Sequence, residues 1–366
     1  MFLKLSLLFS LILHTCIGLS FQCRDQKNQN VDWFIFYKIG HIRKHIVKSV
    51  RNGYAFLYMD ANHQQWSFSA FGINNSKQAI GYTLQQYYVV ASNPEVFSIM
   101  YNDEFPYPNN DTISGSSGHT KGVVVFGKSN GFWLIHSIPK FPRNDTYEYP
   151  VTGRHYGQMG LCISMPYSEL HKIAIQLYYN HLFIYSQKLP AQMAVDIPIL
   201  AKVILNEYQR VAPYVSLVLL NSSAGNEFFH FAKTGAFNKG RNLYFDLVAP
   251  TLKSSLKTET WQHETSKNKN LKSWCRKYSS YKVLDVKKVA LPFNITFSNA
   301  LDHSKFAVAT LDANKALLPW ICIGDINRQE RQLFRAGGTM CFMNSKVHSI
   351  YNAMVSDYWP CISNGS

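Results

Sequence analysis

The same order of landmarks occurs twice along this chain. In each case a His-x-Lys tripeptide opens an apolar segment, a tryptophan-led segment follows, and a cysteine-containing segment closes the unit. The first unit starts at His119 and Lys121, and the second starts at His303 and Lys305. This order predicts a duplicated half, because two related halves packed about a pseudo-two-fold axis bring equivalent strand ends together. Both tripeptides are therefore expected in one site.

The spacing of histidine and lysine suits phosphodiester chemistry. On an extended strand, residues i and i+2 face the same side, so each pair would meet one ligand together. A neutral imidazole can attack phosphorus, a protonated imidazole can give its proton to the leaving oxygen, and ammonium groups can hold the remaining oxygens. We expect His119 to be the nucleophile and His303 the acid, and the reverse assignment stays open because the two halves are near-equivalent. Such a site works at mildly acidic pH and needs no metal or other cofactor.

Strand-like segments dominate the chain, and helix-like segments lie between them. They are rich in aromatic and β-branched residues and are bounded by Gly, Pro and Asn. The mixture predicts an α/β fold of two halves, residues 21–175 and 176–366, each a mixed β-sheet flanked by helices. Strands are expected at residues 31–39, 53–60, 122–126, 131–138, 160–167, 215–220, 305–311, 320–326 and 337–343, and helices at 75–88, 168–179, 198–209 and 242–256.

The first twenty residues have the features of a secretory signal peptide. Lys4 supplies a positive start, residues 5–13 are apolar, and small residues follow at Gly18 and Ser20, where we expect cleavage. No second run of about 18 apolar residues follows, so the mature protein is expected to be soluble, without stable membrane insertion. Its destination is expected to be the lysosome or the outside of the cell.

Cysteines and glycosylation sequons agree with export. Six cysteines remain after Cys16 of the leader, an even number that suggests three disulfides, although spacing alone does not choose among the pairings. No CxxC spacing indicates a zinc site. Six N-x-S/T sequons predict a glycoprotein with surface glycans at Asn74, Asn110, Asn144, Asn221, Asn294 and Asn364.

The chain is strongly basic, with a formal net charge of +15. The densest basic stretches are residues 41–51 and 266–277. Either stretch is compatible with an ordinary solvated surface. The two together favour a polyanionic partner, which on charge alone could be a nucleic acid, an acidic glycan or an anionic membrane.

Several longer segments together resemble one known family. "VDWFIFYK", "GHTKGVVVF", "GFWLIHSIPKFP", "YGQMGLCISMPY", "AGNEFFHFAK", "DHSKFAV", "PWICIGDINRQ" and "GGTMC" look like segments of the deoxyribonuclease II family, in family order over nearly the whole mature chain. That family resembles the phospholipase D superfamily. The resemblance implies a phospholipase D-like pseudodimer that cleaves double-stranded DNA at acid pH without metal, leaving 3′-phosphate and 5′-hydroxyl ends.

The resemblance also implies roles for individual residues. Family catalytic residues fall on His119, Lys121, His136, His303 and Lys305. Candidates for contacting substrate or supporting these groups are Asn327, which would help to hold the phosphate, Asp325, which would orient a histidine, and Ser137. The family disulfide pattern would pair Cys23 with Cys162, Cys275 with Cys361, and Cys322 with Cys341.

Two other functions stay open. One is a secreted DNA-binding protein that has lost catalysis. The other is a phospholipase D-type enzyme acting on lipid, which shares the His-x-Lys pair but is expected to carry an aspartate five residues after each lysine. Phe126 and Thr310 occupy those positions, which counts against a lipid enzyme. The oligomeric state stays open, with a monomeric pseudodimer as one option.

Overall fold

The structure is a computed structural model that describes residues 19–106, 115–237, 240–275, 280–310 and 318–361. The expected signal peptide falls outside the described residues except for its last two positions. The sequons at Asn110 and Asn364 also fall outside them.

The first half of the chain forms one antiparallel sheet. Within the described residues it has eight strands in the spatial order β3-β2-β1-β7-β6-β5-β4-β8. Every strand except two-residue β3 and edge strand β8 is almost fully buried. The strands are β1 Trp33–Lys38, β2 Phe56–Asp60, β3 Ser67–Phe68, β4 Phe97–Tyr101, β5 Gly122–Phe126, β6 Asn130–His136, β7 Gln158–Pro166 and β8 Ile184–Lys188.

The second half forms a mixed sheet. Its described strands follow the order β13-β12-β11-β14-β15-β16-β10-β9, and β17 pairs with β12. The β11–β12 pair is parallel and the other pairs are antiparallel. The strands are β9 Val215–Asn221, β10 Glu227–Lys233, β11 Ser255–Glu259, β12 Val283–Leu291, β13 Ile295–Ser298, β14 Phe306–Thr310, β15 Trp320–Gly324, β16 Gly337–Met343 and β17 Val355–Tyr358.

Short helices connect and cover the strands. The side chains of Gln78 and Asn344 cap α2 and α7 by accepting the N–H groups of Ile80 and Val347. The helices are α1 Lys48–Arg51, α2 Ala79–Val89, α3 Leu170–Asn180, α4 Ala191–Asp196, α5 Pro198–Ile204, α6 Ala249–Thr251 and α7 Ser345–Met354, with a π-helical turn at Tyr244–Val248. None of the helices in the described ranges is long and apolar enough to cross a membrane.

The largest apolar core lies between the two sheets. Trp33 of β1 contacts Phe342 of β16, with ring centroids 5.8 Å apart. The apolar faces of α3 and α7 belong to the same core. A second core lies between the first sheet and α2, and a third lies between the second sheet and the Tyr244–Val248 turn. The two halves are therefore joined through their largest apolar surface.

The two sheets share a central pattern of five strands. The order β1-β7-β6-β5-β4 in the first sheet matches β10-β16-β15-β14-β11 in the second, and all of these neighbours are antiparallel. Gly122 pairs with Ile135 as Phe306 pairs with Ile323. This agrees with the expected two-half α/β pseudodimer. The division at residue 175 falls inside α3 and the first sheet continues to β8, so the domain boundary stays a prediction.

Most expected strands and disulfides are confirmed. All nine predicted strand segments contain an observed strand. The segment 242–256, expected as a helix or a helix plus a turn, is helical at Tyr244–Val248 and Ala249–Thr251, and its last two residues belong to β11, which begins at Ser255 beside β14. The disulfides Cys23–Cys162, Cys275–Cys361 and Cys322–Cys341 form as expected, the last between directly paired residues of β15 and β16.

The four described sequons differ in exposure. Asn74 and Asn294 are exposed, whereas Asn144 and Asn221 are half-buried. Glycosylation at all six sites stays a prediction.

Candidate active site

The two His-x-Lys tripeptides end immediately before equivalent strands. His119 and Lys121 precede β5, and His303 and Lys305 precede β14. All four side chains are buried. The sequence leads to this placement because an apolar strand follows each lysine and draws the polar tripeptide to the edge of the core.

Backbone hydrogen bonds tie each histidine to the opposite half. The amide of His119 donates to the carbonyl of Ala336, just before β16, at 2.8 Å. The amide of His303 donates to the carbonyl of Gly157, just before β7, also at 2.8 Å. Since β7 and β16 are equivalent strands, the two contacts are related by the pseudo-symmetry. The His-x-Lys segments therefore meet at the junction of the halves.

The imidazole contacts repeat the same relationship. Nδ1 of His119 lies 2.5 Å from the carbonyl oxygen of Asp325, and Nδ1 of His303 lies 3.1 Å from that of Ser137. A carbonyl oxygen accepts only, so both contacts favour a proton on Nδ1 and a lone pair on Nε2. Gln158 Oε1, 3.1 Å from His303 Nδ1, favours the same tautomer, whereas Lys305 Nζ, 3.0 Å from that Nδ1, opposes it when the lysine is protonated. This tautomer leaves a lone pair on each Nε2 that can bind phosphorus or a proton, and Nε2 of His119 lies 3.6 Å from a carboxylate oxygen of Asp103.

Asp325 and Ser137 support the histidines through their backbone rather than through their side chains. The carboxylate of Asp325 instead accepts the amide of Gly338 at 2.9 Å, and the hydroxyl oxygen of Ser137 accepts the amide of Met159 at 3.0 Å. These two contacts are again equivalent in the two halves. The contact of Asp325 with His119 is made by its carbonyl group, and its role in orienting that histidine stays a prediction.

The two lysines differ in their partners. Lys121 Nζ donates to the carboxylate of Asp103, a residue just beyond β4 that the sequence did not single out. Lys305 Nζ donates to the carbonyl of its neighbour His303 at 2.7 Å and lies 3.0 Å from that histidine's Nδ1. The two lysines are therefore paired differently in the two halves.

Arg335 is a second site residue that the sequence did not reveal. Its guanidinium reaches from the segment before β16 into the first half. There it donates to the carbonyls of Ser117 and Gly118, both at 3.0 Å, and lies 3.2 Å from Asp103. No short motif marks this contact, because it joins residues 232 positions apart. Arg335 thereby fixes the loop that leads into His119.

Aromatic rings surround His303. The ring of Trp261 lies 4.8 Å and that of Tyr156 6.4 Å from the His303 ring. Strand register makes Trp261 the counterpart of Asp103: Tyr101, two residues before Asp103, pairs with Gly122, and Glu259, two residues before Trp261, pairs with Phe306. One side of the site is therefore acidic where the other is aromatic.

Burial controls the protonation of the site. Burial, and then the nearby charge of Lys121, holds the pKa of His119 well below its usual value, and burial followed by Lys305 does the same for the pKa of His303. Burial also lowers the pKa of Lys305 and raises that of Asp325 to about 7. In the free protein both histidines are therefore neutral around pH 7, and they gain a proton only under acid conditions.

Two further predicted site residues have no described contact with the imidazole of His119 or His303. His136 is buried at the end of β6, where its Nδ1 accepts the amide of Ile138 at 3.2 Å and burial lowers its pKa to about 3. Asn327 is 2% exposed, and its Oδ1 has no hydrogen-bond partner among the described residues. Their roles stay predictions.

Metal-ligating side chains do not cluster in the described ranges. No group of three or more His, Cys, Asp or Glu side chains there is arranged to hold a metal ion.

Two related halves that bring together a pair of histidines and a pair of lysines are compatible with a hydrolase of the two-half α/β class. Residues 22–361 match the family model of deoxyribonuclease II. The chain belongs to the deoxyribonuclease II family.

Curated relatives match over almost their whole length. The chain is 43% identical to cell death-related nuclease 6 of Caenorhabditis elegans, over 96% of this chain and 93% of the relative. It is 38% identical to deoxyribonuclease-2 of the same organism, over 92% and 93%. It is 35% identical to deoxyribonuclease-2-alpha of Mus musculus, over 93% of each chain. The chain is therefore a deoxyribonuclease-type enzyme.

Proposed function

We propose that the protein is an acid endonuclease that hydrolyses double-stranded DNA without metal, through a phosphohistidine, to give 3′-phosphate and 5′-hydroxyl ends. The names of its relatives support DNA as the substrate. The observation that carries the mechanism is the exchange of carbonyl contacts between the halves, which holds Nδ1 of both histidines and leaves a lone pair on each Nε2.

The reaction has two balanced steps. In the first, the Nε2 lone pair of His119 forms a bond to phosphorus, the bond from phosphorus to the 5′-oxygen breaks, and His303 gives that oxygen its Nε2 proton. In the second, His303 removes a proton from water, the water oxygen attacks phosphorus, and the bond to His119 breaks. Lys121 and Lys305 hold the non-bridging oxygens throughout.

The lowered pKa of His303 explains acid activity. Protonated His303 is the form that can act as the acid in the first step. Because burial and Lys305 lower its pKa, this form is present at acid pH and disappears as the pH rises towards neutrality. We therefore expect kcat/KM to fall with increasing pH.

Plasmid nicking at about pH 5 with a chelator present tests the proposal. Wild type should nick, whereas His119→Ala and His303→Ala should each lose roughly 10³-fold or more in rate, the scale expected when a covalent catalytic group is removed. His63→Ala removes an exposed imidazole, 87% accessible, and should leave the rate unchanged. An inactive wild type excludes the nuclease, and full activity of either site variant excludes the mechanism.

Covalent labelling of the protein distinguishes the two histidines. A rapidly quenched reaction uses 5′-end-labelled DNA whose scissile bond has a bridging 5′-sulfur, a leaving group that needs no general acid. It should leave label on the protein in His303→Ala, which lacks the base for the second step, and none in His119→Ala. The opposite pattern would assign the nucleophile to His303. Turnover of phosphatidylcholine without nicking would instead favour the lipid phosphodiesterase.

The three disulfides support folding in an oxidising compartment. With the expected leader, they support a route through the secretory pathway to the lysosome or the outside of the cell. Deletion of residues 1–20 tests that route, because the protein should then reach neither acidic vesicles nor the medium. Unchanged delivery of the deletion variant would contradict it.

A further inference from the structure

Asp103 stands where a second anion would compete with the substrate. Its carboxylate is buried at 4% exposure, just beyond β4. One oxygen accepts from Lys121 Nζ, and the other lies 3.2 Å from the Arg335 guanidinium and 3.6 Å from His119 Nε2. The last atom is the one that would attack phosphorus. Asp103 is thus already paired with the cationic groups that the scissile phosphate would have to bind.

Charges from every surrounding element face Asp103. Lys121 and His119 come from the segment before β5, and Arg335 comes from the segment before β16. Its chain neighbour Glu104 adds a negative charge. In the second half, Asp325 lies beyond β15, and His303 and Lys305 precede β14. The charge of Asp103 affects the pKa of all three groups.

The two halves treat this position differently. The counterpart of Asp103 is Trp261, which packs against the ring of His303. Only the lysine of the first half therefore donates to a carboxylate at this position, while Lys305 donates to a backbone carbonyl. A phosphate that binds in the site would therefore contact the Asp103 carboxylate on one side and the Trp261 ring on the other.

We propose that Asp103 is a positioning residue that holds Lys121, Arg335 and His119 in the free enzyme and takes up a proton when a phosphodiester binds to them. The proposal rests on the proposed function and deepens it, because it couples substrate binding to acid pH.

The coupling follows from charge and linkage. Burial acts to raise the pKa of Asp103, but Lys121, His119 when it is protonated, and Arg335 outweigh burial and hold the pKa well below its usual range in the free protein. A phosphate bound to the same cations neutralises their charge and also repels the Asp103 carboxylate at close range. The carboxylate then favours its protonated form, in which it can donate to a phosphate oxygen. Binding therefore consumes a proton and weakens as the pH rises.

The pH dependence of cleavage is the first test. Asp103→Asn keeps the size and a donor while it removes the charge. We expect its kcat/KM profile to shift by about one unit towards neutral pH, a roughly tenfold gain in the ratio of kcat/KM at pH 7 to that at pH 5, carried by KM. An unshifted or more acidic profile for Asp103→Asn would overturn the proposal.

The matched control for this test is Glu104→Gln. It removes the carboxylate next to Asp103 in the chain, but within the described ranges that carboxylate makes no ion pair with Lys121 or His119. The variant should keep the wild-type pH profile. A shift as large as that of Asp103→Asn would mean that any negative charge near the site has the same effect, which would also overturn the proposal.

Proton uptake on binding is the second test. Dimethyl phosphate is a diester monoanion that does not titrate near neutrality, so calorimetry in buffers of different ionisation enthalpy counts the protons that the protein takes up. Wild type should take up about one more proton than Asp103→Asn does. Equal uptake would overturn the proposal, because the histidines would then account for all of it.

A folding measurement separates a structural role of Asp103 from its proton-linked role. Thermal unfolding reports whether Asp103→Asn folds. If it does not, Asp103→Ser, whose smaller side chain admits water beside Lys121, takes its place in both tests with the same expected shift. Failure of wild type to nick DNA would contradict the proposed function, whereas the calorimetric difference would still decide whether Asp103 is the proton-linked group.

Discussion

Asn327 combines deep burial with an incomplete set of hydrogen bonds. It follows Asp325 by two residues, and its Oδ1 lacks a partner within the described part of the chain. A buried unpaired amide is costly, so its retention calls for a ligand. The unpaired Oδ1 is an acceptor and calls for a donor, so it does not itself bind a phosphate oxygen. The role that the family resemblance implied, donation from the carboxamide nitrogen to the phosphate, stays a prediction.

An isosteric exchange at Asn327 tests that role. Asn327→Asp replaces a donor with an anion of the same size, so repulsion of the phosphate should raise KM about 10- to 100-fold. Asn327→Ala removes the donor without adding charge and should raise KM by less. Steady-state kinetics on a defined duplex separates KM from kcat. Equal KM values for Asn327→Asp and wild type would remove Asn327 from the phosphate site.

Two buried lysines donate hydrogen bonds to the segments that precede β7 and β16 beside the site. Lys38 at the end of β1 donates to the carbonyls of Arg154 and Tyr156, at 2.5 and 2.7 Å. Lys233 at the end of β10 donates to those of Leu333 and Arg335, at 3.0 and 2.5 Å. Because β1 and β10 are equivalent strands, each half uses one lysine to hold the segment that receives the histidine of the other half.

Removing either ammonium should weaken fold and site together. Lys38→Met and Lys233→Met each leave two partly buried carbonyls without their lysine donor, at an expected cost of about 2–4 kcal/mol in the free energy of unfolding. Lys188→Met is the matched control, because Lys188 also donates to two carbonyls but lies half-exposed on edge strand β8, and should cost about 1 kcal/mol or less. Denaturant titration measures all three. Equal destabilisation by all three would show that burial beside the site adds nothing.

The sequence predicted the strands that carry strong local patterns and missed those defined by pairing. β5, β15 and β16 are apolar runs bounded by turn residues, so their composition sufficed. β12 was missed because exposed lysines interrupt its apolar face. β4 was missed too, and so was Asp103 beyond it. The importance of Asp103 follows from its contacts with Lys121 and Arg335, which lie 18 and 232 residues further along the chain. Motifs indicated the histidines and lysines, whereas only the fold shows which side is acidic.

Disulfides and apolar packing have separate tasks in the whole molecule. Cys23–Cys162 lies within the first half, and both Cys275–Cys361 and Cys322–Cys341 lie within the second. The halves are therefore joined by their shared core and by the contacts across the site. A site built from both halves is active only when they are packed together, which links catalysis to the integrity of the complete fold.

The basic charge of the whole molecule should make its affinity for DNA decrease as the salt concentration rises. The basic stretch at residues 41–51 begins beside the site, since the His41 amide donates to the carbonyl of His155, whose neighbour Tyr156 lies close to His303. Arg43, Lys44 and Lys48 in that stretch are exposed. We expect their side chains to bind phosphates that flank the scissile bond.

Exchanging these three residues for glutamine should reduce the slope of log K against log salt by about 0.9 for each phosphate that the variant no longer neutralises. The measurement uses the His119→Ala background, which binds DNA without cutting it. The control exchanges three exposed lysines, Lys282, Lys287 and Lys288, at β12, which β11 separates from β14. Both triple variants lower the net charge equally, so only direct binding to phosphates predicts a smaller slope for the first. Equal slopes would mean that the total charge of the molecule, rather than this stretch, governs its attraction to DNA.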